Sequence, residues 1–218
     1  ATLTEKLLGA VQRTDLARLA PNPLLLTVMA LVHTEYGELP DSRAQLYQQA
    51  VDVLLWRWEQ EKSKEHGGLS QMMALLQEAD RDRNDLLLIL GKLAFEAHQN
   101  GGDTEDPDAV SGISQSELLA AIRELHPQRS LDWAEKILDA MRLRAGLLLD
   151  RDGTVFTFPH RTFQEYLAGT HLASLPDFPT KAKELVEAGS FWRVVVLLAA
   201  GHLAHNTLNR SMPLMLAN

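Results

Sequence analysis

Leu147-Leu148-Leu149-Asp150-Arg151-Asp152-Gly153-Thr154-Val155-Phe156-Thr157-Phe158 is the stretch on which the fold turns. Two apolar runs rich in strand-forming residues flank an Asp-Gly pair. Glycine after aspartate suits the positive-φ positions of a tight hairpin turn, so the segment predicts a β-hairpin. It stands out because almost everything else in the chain reads as helix.

Upstream of the hairpin lie three predicted helices. The first covers residues 86–98 and is followed by a Gly/Asp-rich loop at 100–111. Ser114 and Glu117 have capping-box spacing ahead of Leu118, Leu119 and Ile122, which opens the second. Ser130 can cap the third, whose buried stripe is Trp133, Ile137, Leu138 and Met141 and which Gly146 stops. Three helices and a hairpin make a winged-helix pattern. A further helix is expected from Pro159 to about residue 174, anchored by Phe163, Tyr166 and Leu167 at i, i+3 and i+4.

Further out, the N-terminal part is helical too. Thr2 and Glu5 have capping-box spacing, and Pro21-Asn22-Pro23 then breaks the chain. Pro23 can open the next helix, to about His33. After Gly37 and Pro40, Asp41 is expected to cap a long helix. Its stripe recurs every four residues at Leu46/Tyr47, Ala50/Val51, Leu54/Leu55 and Trp58, ending at Gly67-Gly68. A short helix at 70–78 precedes the charged run 80–85, read as a boundary. Beyond Pro176 and Pro179, residues 180–201 predict two helices with Trp192, Val195, Leu197 and Leu198 facing inward. The expected fold class is mostly α: a helical subdomain at 1–80, a winged helix at 81–178, and further C-terminal helices from 179 to 218.

Composition narrows the function. In 218 residues, 45% are hydrophobic and 23% charged, an ordinary globular balance. The chain holds no cysteine, which excludes disulfides, thiolate metal sites and cysteine nucleophiles and suits a reducing, cytoplasmic setting. Lys and Arg number 21 against 29 Asp and Glu, a formal charge of −8. Phosphate backbones are repelled by such a chain, so nucleic acid is an unfavoured partner. The third winged-helix helix carries Lys136, Arg142 and Arg144 but also Asp132, Glu135 and Asp139, too balanced for a groove-reading face. Apolar runs fall well short of the roughly 20 residues of a membrane span. The first residue is Ala1 rather than methionine, and the chain is expected to belong to a longer polypeptide.

No GxxxxGK[ST] phosphate loop, GxGxxG turn, GxSxG elbow or HExxH helix occurs in the sequence. Asp80, Asp82 and Asn84 imitate a calcium loop, but Asp85 and Gly91 stand where it needs glycine and glutamate. His202 and His205 have helical ligand spacing without a third ligand nearby. No enzyme emerges. One constellation remains, Pro159-His160-Arg161-Thr162 at a helix start. N–H groups there favour an anion, and the imidazole and guanidinium add mobile donors for a phosphate oxygen. A histidine in a first helical turn also serves simply to cap or pack.

Two motifs in order carry a family resemblance. The first is Asn22-Pro23-Leu24-Leu25-Leu26-Thr27 with Gly37-Glu38-Leu39-Pro40, Arg43 and Tyr47. The second is Phe158-Pro159-His160-Arg161-Thr162-Phe163-Gln164-Glu165-Tyr166-Leu167-Ala168, continued by Phe191-Trp192-Arg193-Val194-Val195-Val196-Leu197-Leu198-Ala199-Ala200-Gly201. The chain resembles the C-terminal part of the NACHT module of STAND-class NTPases, the nucleotide switches of bacterial defence proteins and NOD-like receptors. The resemblance implies that Pro23 lies against adenine and that His160 reaches the β-phosphate of ADP, with Arg161 beside it. It implies packing and interdomain roles for Gln164, Glu165 and Tyr166. ADP or ATP with magnesium would be held by an upstream nucleotide-binding domain of the parent, not tightly by these residues. Self-assembly of the parent on activation is implied as well. A helical interaction scaffold without a ligand, or a DNA-binding winged helix, are the alternative readings.

Overall fold

Helix starts are set by side chains that satisfy the first free N–H groups, and the chain provides them repeatedly. A computed structural model describes residues 14–57, 71–102, 111–144 and 146–205. A short helix α1 (Thr14–Ala17) leads to α2 (Pro23–Tyr36), which Asn22 caps and which ends at Gly37 in the left-handed region (φ +81). Helix α3 (Arg43–Asp52) is capped by Ser42, whose Oγ accepts from Gln45 N–H at 3.3 Å. The cap is therefore one residue later than the expected Asp41. Leu46, Tyr47, Ala50 and Val51 are buried as the periodicity predicts. A turn of π-helix, Val53–Arg57, then follows. Its wider turn rotates the stripe, so Trp56 is buried beside Leu55 while Leu54 is only half-buried. The Thr2/Glu5 spacing, Trp58 and Gly67-Gly68 lie outside the described residues.

After α4 (Gln71–Glu78) the charged run forms the connection through Asp82 and then, from Arg83, the first turn of the next helix. Asp82 Oδ1 accepts from the N–H groups of Asn84 (2.7 Å) and Asp85 (3.1 Å), and the Asp85 carboxylate accepts from Asp82 N–H at 2.9 Å. This capping box opens α5 (Arg83–Gly101) three residues before the expected start. It also engages Asp82, one of the residues that imitated a calcium loop. Among the described residues no group of His, Asp or Glu is arranged to hold a metal ion.

The winged helix is present. Helix α5 is followed by β1 (Ile113–Ser114), α6 (Gln115–Arg123), α7 (Leu131–Arg144), β2 (Leu149–Asp150) and β3 (Val155–Thr157). β3 is central and antiparallel to both neighbours, pairing Phe156 with Ile113 and with Asp150. The Ser114/Glu117 capping box forms as predicted, and Ser130 Oγ accepts from Trp133 N–H at 3.2 Å. At the hairpin tip, Gly153 has φ +81, and Asp152 Oδ1 accepts from Thr154 and Val155 N–H. Arg142 pins the wing to α7. Its guanidinium meets Asp150 at 3.1 Å and lies 4.9 Å over the Phe156 ring.

Helix α8 (Arg161–Ser174) runs through the middle of the molecule, followed by α9 (Phe178–Ala188), a 3₁₀ turn at Ser190–Trp192, and α10 (Arg193–His205). Phe163, Tyr166 and Leu167 are buried as expected. Trp192, Val195 and Leu198 also face inward, but Leu197 is 70% exposed, contrary to the expectation. Leu197 lies two residues from Val195, nearly opposite it on a helix of 3.6 residues per turn. α8 packs against α5 on one side and α10 on the other, and both crossings are close. A Cβ on Gly91 would stand 3.0 Å from Leu167 O, and one on Gly169 would stand 3.0 Å from Val195 O and 3.1 Å from Ala199 N.

Those neighbours are largely backbone and cannot swing aside. Gly169→Ala is therefore expected to cost about 1–3 kcal/mol through overpacking. Gly146→Ala, whose Cβ meets among the described residues only Leu54 Cδ2 at 3.5 Å, should stay within about 0.5 kcal/mol of wild type. Urea unfolding of the two variants checks this, and equal midpoints would remove the close crossing as a constraint.

Candidate functional site: the His160 corner

Phe158 is fully buried at the end of the wing, and the chain turns there into α8. His160 is not in the first helical turn, as the sequence reading had it. It is the N-cap, with extended backbone (φ −155, ψ 148). Its Nδ1 lies 3.1 Å from Thr162 N–H and 2.9 Å from Thr162 Oγ1. On its other edge, Nε2 is 3.0 Å from Asn22 Nδ2, across 138 positions of sequence. Asn22 in turn caps α2 through Oδ1, which accepts from Leu24 N–H (2.9 Å) and Leu25 N–H (3.2 Å). The two motifs of the sequence thus meet at one side-chain contact. Pro23, exposed at the first position of α2, is next to it.

Arg161 is held rather than mobile. Its Nε donates to Glu165 Oε1 at 3.1 Å, one turn along α8, with both side chains largely buried. Burial pushes the Glu165 carboxyl up to about 7, against the opposing pull of Arg161 and of Arg43 on α3. The same layer contains Tyr47, whose ring sits edge-on to Phe163 at 5.6 Å and tilted against Tyr166 at 5.9 Å. Its hydroxyl is pushed up by burial. Gln164, Glu165 and Tyr166 are all buried, and all three pack inside the molecule.

Three further histidines have structural surroundings. His98, buried on α5, contacts the Phe191 carbonyl through Nε2 at 3.2 Å and stacks edge-on to Trp192 at 4.8 Å. Desolvation lowers it to about 4, so it is neutral and its Nε2–H donates to Phe191. His205 Nε2 bonds Ser42 Oγ at 2.7 Å, tying the end of α10 to the start of α3. His202, depressed by burial, faces Tyr166 at 6.3 Å.

The i,i+4 spacing of Arg161 and Glu165 could have revealed their pairing in the sequence. The partnership of Asn22 with His160 carried no local signal, since only the fold brings residues so distant together.

Glu165 and His98 give opposite pH slopes. The folded Glu165 keeps its proton up to about 7, whereas an unfolded glutamate loses it near 4.5. Its stabilisation is complete below 4.5 and is lost as pH rises through 7. His98 stays neutral down to about 4 while the unfolded residue protonates near 6.5, so its stabilisation is complete above 6.5 and lost as pH falls. Glu165→Gln should therefore steepen the rise of stability between about pH 5 and 6.5, by up to about 1.4 kcal/mol per pH unit. Urea midpoints across that range measure it. An unchanged slope would mean that Glu165 is ionised in the fold.

The comparison with known families agrees with this geometry. The family model for the winged helix-turn-helix domain C-terminal to NACHT matches residues 43–172, from the start of α3 to near the end of α8. No curated protein matches the chain. The match covers more than half of the sequence and contains the three helices, the wing, His160 and Arg161. The chain belongs to the family of winged helix-turn-helix domains that follow NACHT modules.

Proposed function

We propose that this chain is the regulatory part of a nucleotide-dependent signalling switch, whose winged helix reads ADP or ATP held on an upstream NACHT domain. The observation that carries the reading is the contact between Asn22 and His160. It sets the proline expected to meet adenine next to the histidine expected to meet phosphate. The residues present fit such a ligand: Pro23 is exposed, and His160 is half-buried at the head of α8, at the same corner. Arg161 starts the same helix and adds positive charge beside it. The nucleotide's own phosphate loop and magnesium site would belong to the upstream domain, and so would any NTPase chemistry, because this sequence has no phosphate loop.

In this reading ADP stabilises a closed arrangement through His160. Exchange to ATP removes that differential contact and shifts the population towards an open form able to self-assemble. The setting is cytoplasmic, and no helix among the described residues is long and apolar enough to cross a membrane. DNA reading by α7 is disfavoured by its own acids. Lys136 is paired with Asp132 at 2.6 Å, and Arg142 is engaged by Asp139 and Asp150.

Removing one charge-assisted hydrogen bond of about 1.5–3 kcal/mol weakens binding roughly ten- to a hundredfold. A longer polypeptide that includes the NACHT module should copurify with ADP, and His160→Ala should lower its ADP affinity by that factor with the fold intact. Equal affinity would reduce His160 to a cap. Absence of nucleotide from both proteins would favour a helical interaction scaffold.

A further inference from the structure

Helices α3, α5, α8 and α10 surround a cavity of about 390 Å³, within the size range of small-molecule sites. Pro23, His160 and Arg161 are not among the residues that line it. Its floor is apolar and buried, with Val51 from α3, Leu167 from α8 and Leu203 from α10. Leu88 of α5 is exposed at the rim with Gln48 and Asn84. One wall is fixed by packing, since Thr170 lines the cavity and also stands against Gly91 at the crossing of α5 and α8. The space is therefore formed before anything enters it.

The polar groups select what can enter. No Asp, Glu, Lys or Arg among the described residues lines the cavity, so a charged guest would give up hydration and meet no ion partner. Thr170 and Ser174 donate their hydroxyl protons to the carbonyls of Leu167 and His171, both at 2.7 Å. Tyr166 differs. It lines the cavity at 3% exposure, and its hydroxyl has no hydrogen-bond partner among the described residues. Burial pushes this phenol up, so it keeps its proton and is a donor at neutral pH. The His202 ring borders the same space, 6.3 Å from that of Tyr166, and its Nδ1 is buried without a partner among the described residues. Buried polar groups left unpaired are few in a native fold, and here two border one apolar cavity.

We propose that this cavity is a binding site for an uncharged organic molecule of one or two rings, whose carbonyl oxygen accepts a hydrogen bond from the Tyr166 hydroxyl. The rings lie on Val51, Leu167 and Leu203, and the oxygen is directed to α8. Such a guest touches α3 together with α5, α8 and α10, so it ties the N-terminal helices to the winged helix and stabilises the fold by binding it. The site stands independently of the nucleotide reading.

The probes are benzophenone and chromone, uncharged two-ring ketones, titrated into this chain with ¹³C-labelled Leu and Val methyl groups. Both should shift the methyl signals of Val51, Leu167 and Leu203, with dissociation constants of about 1 mM or lower, ordinary for molecules so small. Diphenylmethane, which lacks the carbonyl of benzophenone, should bind about two- to tenfold more weakly than benzophenone. Tyr166→Phe keeps the ring packing and removes only the unpartnered hydroxyl, so its unfolding midpoint should not fall. It should weaken both ketones about two- to tenfold and leave diphenylmethane unchanged. A carboxylate beside the carbonyl, as in 2-benzoylbenzoate, should abolish the methyl shifts. Absence of shifts with both ketones, equal ketone binding by wild type and Tyr166→Phe, or binding of 2-benzoylbenzoate as tight as that of benzophenone overturns the proposal.

Discussion

The close approach of three helix backbones at Gly91 and Gly169 governs this molecule. With no Cβ at either crossing, α8 sinks between α5 and α10, and every residue from Phe163 to Gly169 is buried. A helix covered on nearly all sides cannot keep its polar residues at the surface. Gln164 and Glu165 are inside for that reason, and the raised Glu165 carboxyl follows from packing. The N-terminal end of α8 is less enclosed, and His160 sits there.

Much of the fold was legible because local chemistry and the buried pattern agree along the chain. The hairpin was visible in its Asp-Gly turn, α6 in its Ser114/Glu117 box, and α7 in the stripe from Trp133 to Met141. Disagreements arose where a local rule competes with a tertiary one. β1 is two residues long, and Ser114 in it is also the cap of α6, so it left no strand pattern of its own. The π turn at Val53–Arg57 breaks a periodicity that sequence alone would continue, burying Trp56. In α10 every position from 194 to 200 is apolar, so hydrophobicity could not show that Leu197 points outward.

The candidate site was legible in part. His160, Arg161 and Pro23 could be singled out by residue type and helix position, but what each touches could not. Arg161 turns in towards Glu165, since a buried carboxylate one turn away is a better partner than water. His160 takes the cap itself, leaving Thr162 to face the ring with a donor and an acceptor.

Asn22 links the two halves of the corner because one short side chain has two functions there. Its oxygen is occupied by the first N–H groups of α2 and its nitrogen by the ring of His160. Neither contact can be reoriented without the other, as an amide flip would put an NH₂ against helix N–H groups. A change at the His160 ring is therefore transmitted to the N-terminus of α2, where Pro23 is the next residue. The coupling needs no movement of a domain. It requires only that a planar amide cannot offer its oxygen and its nitrogen in the same direction.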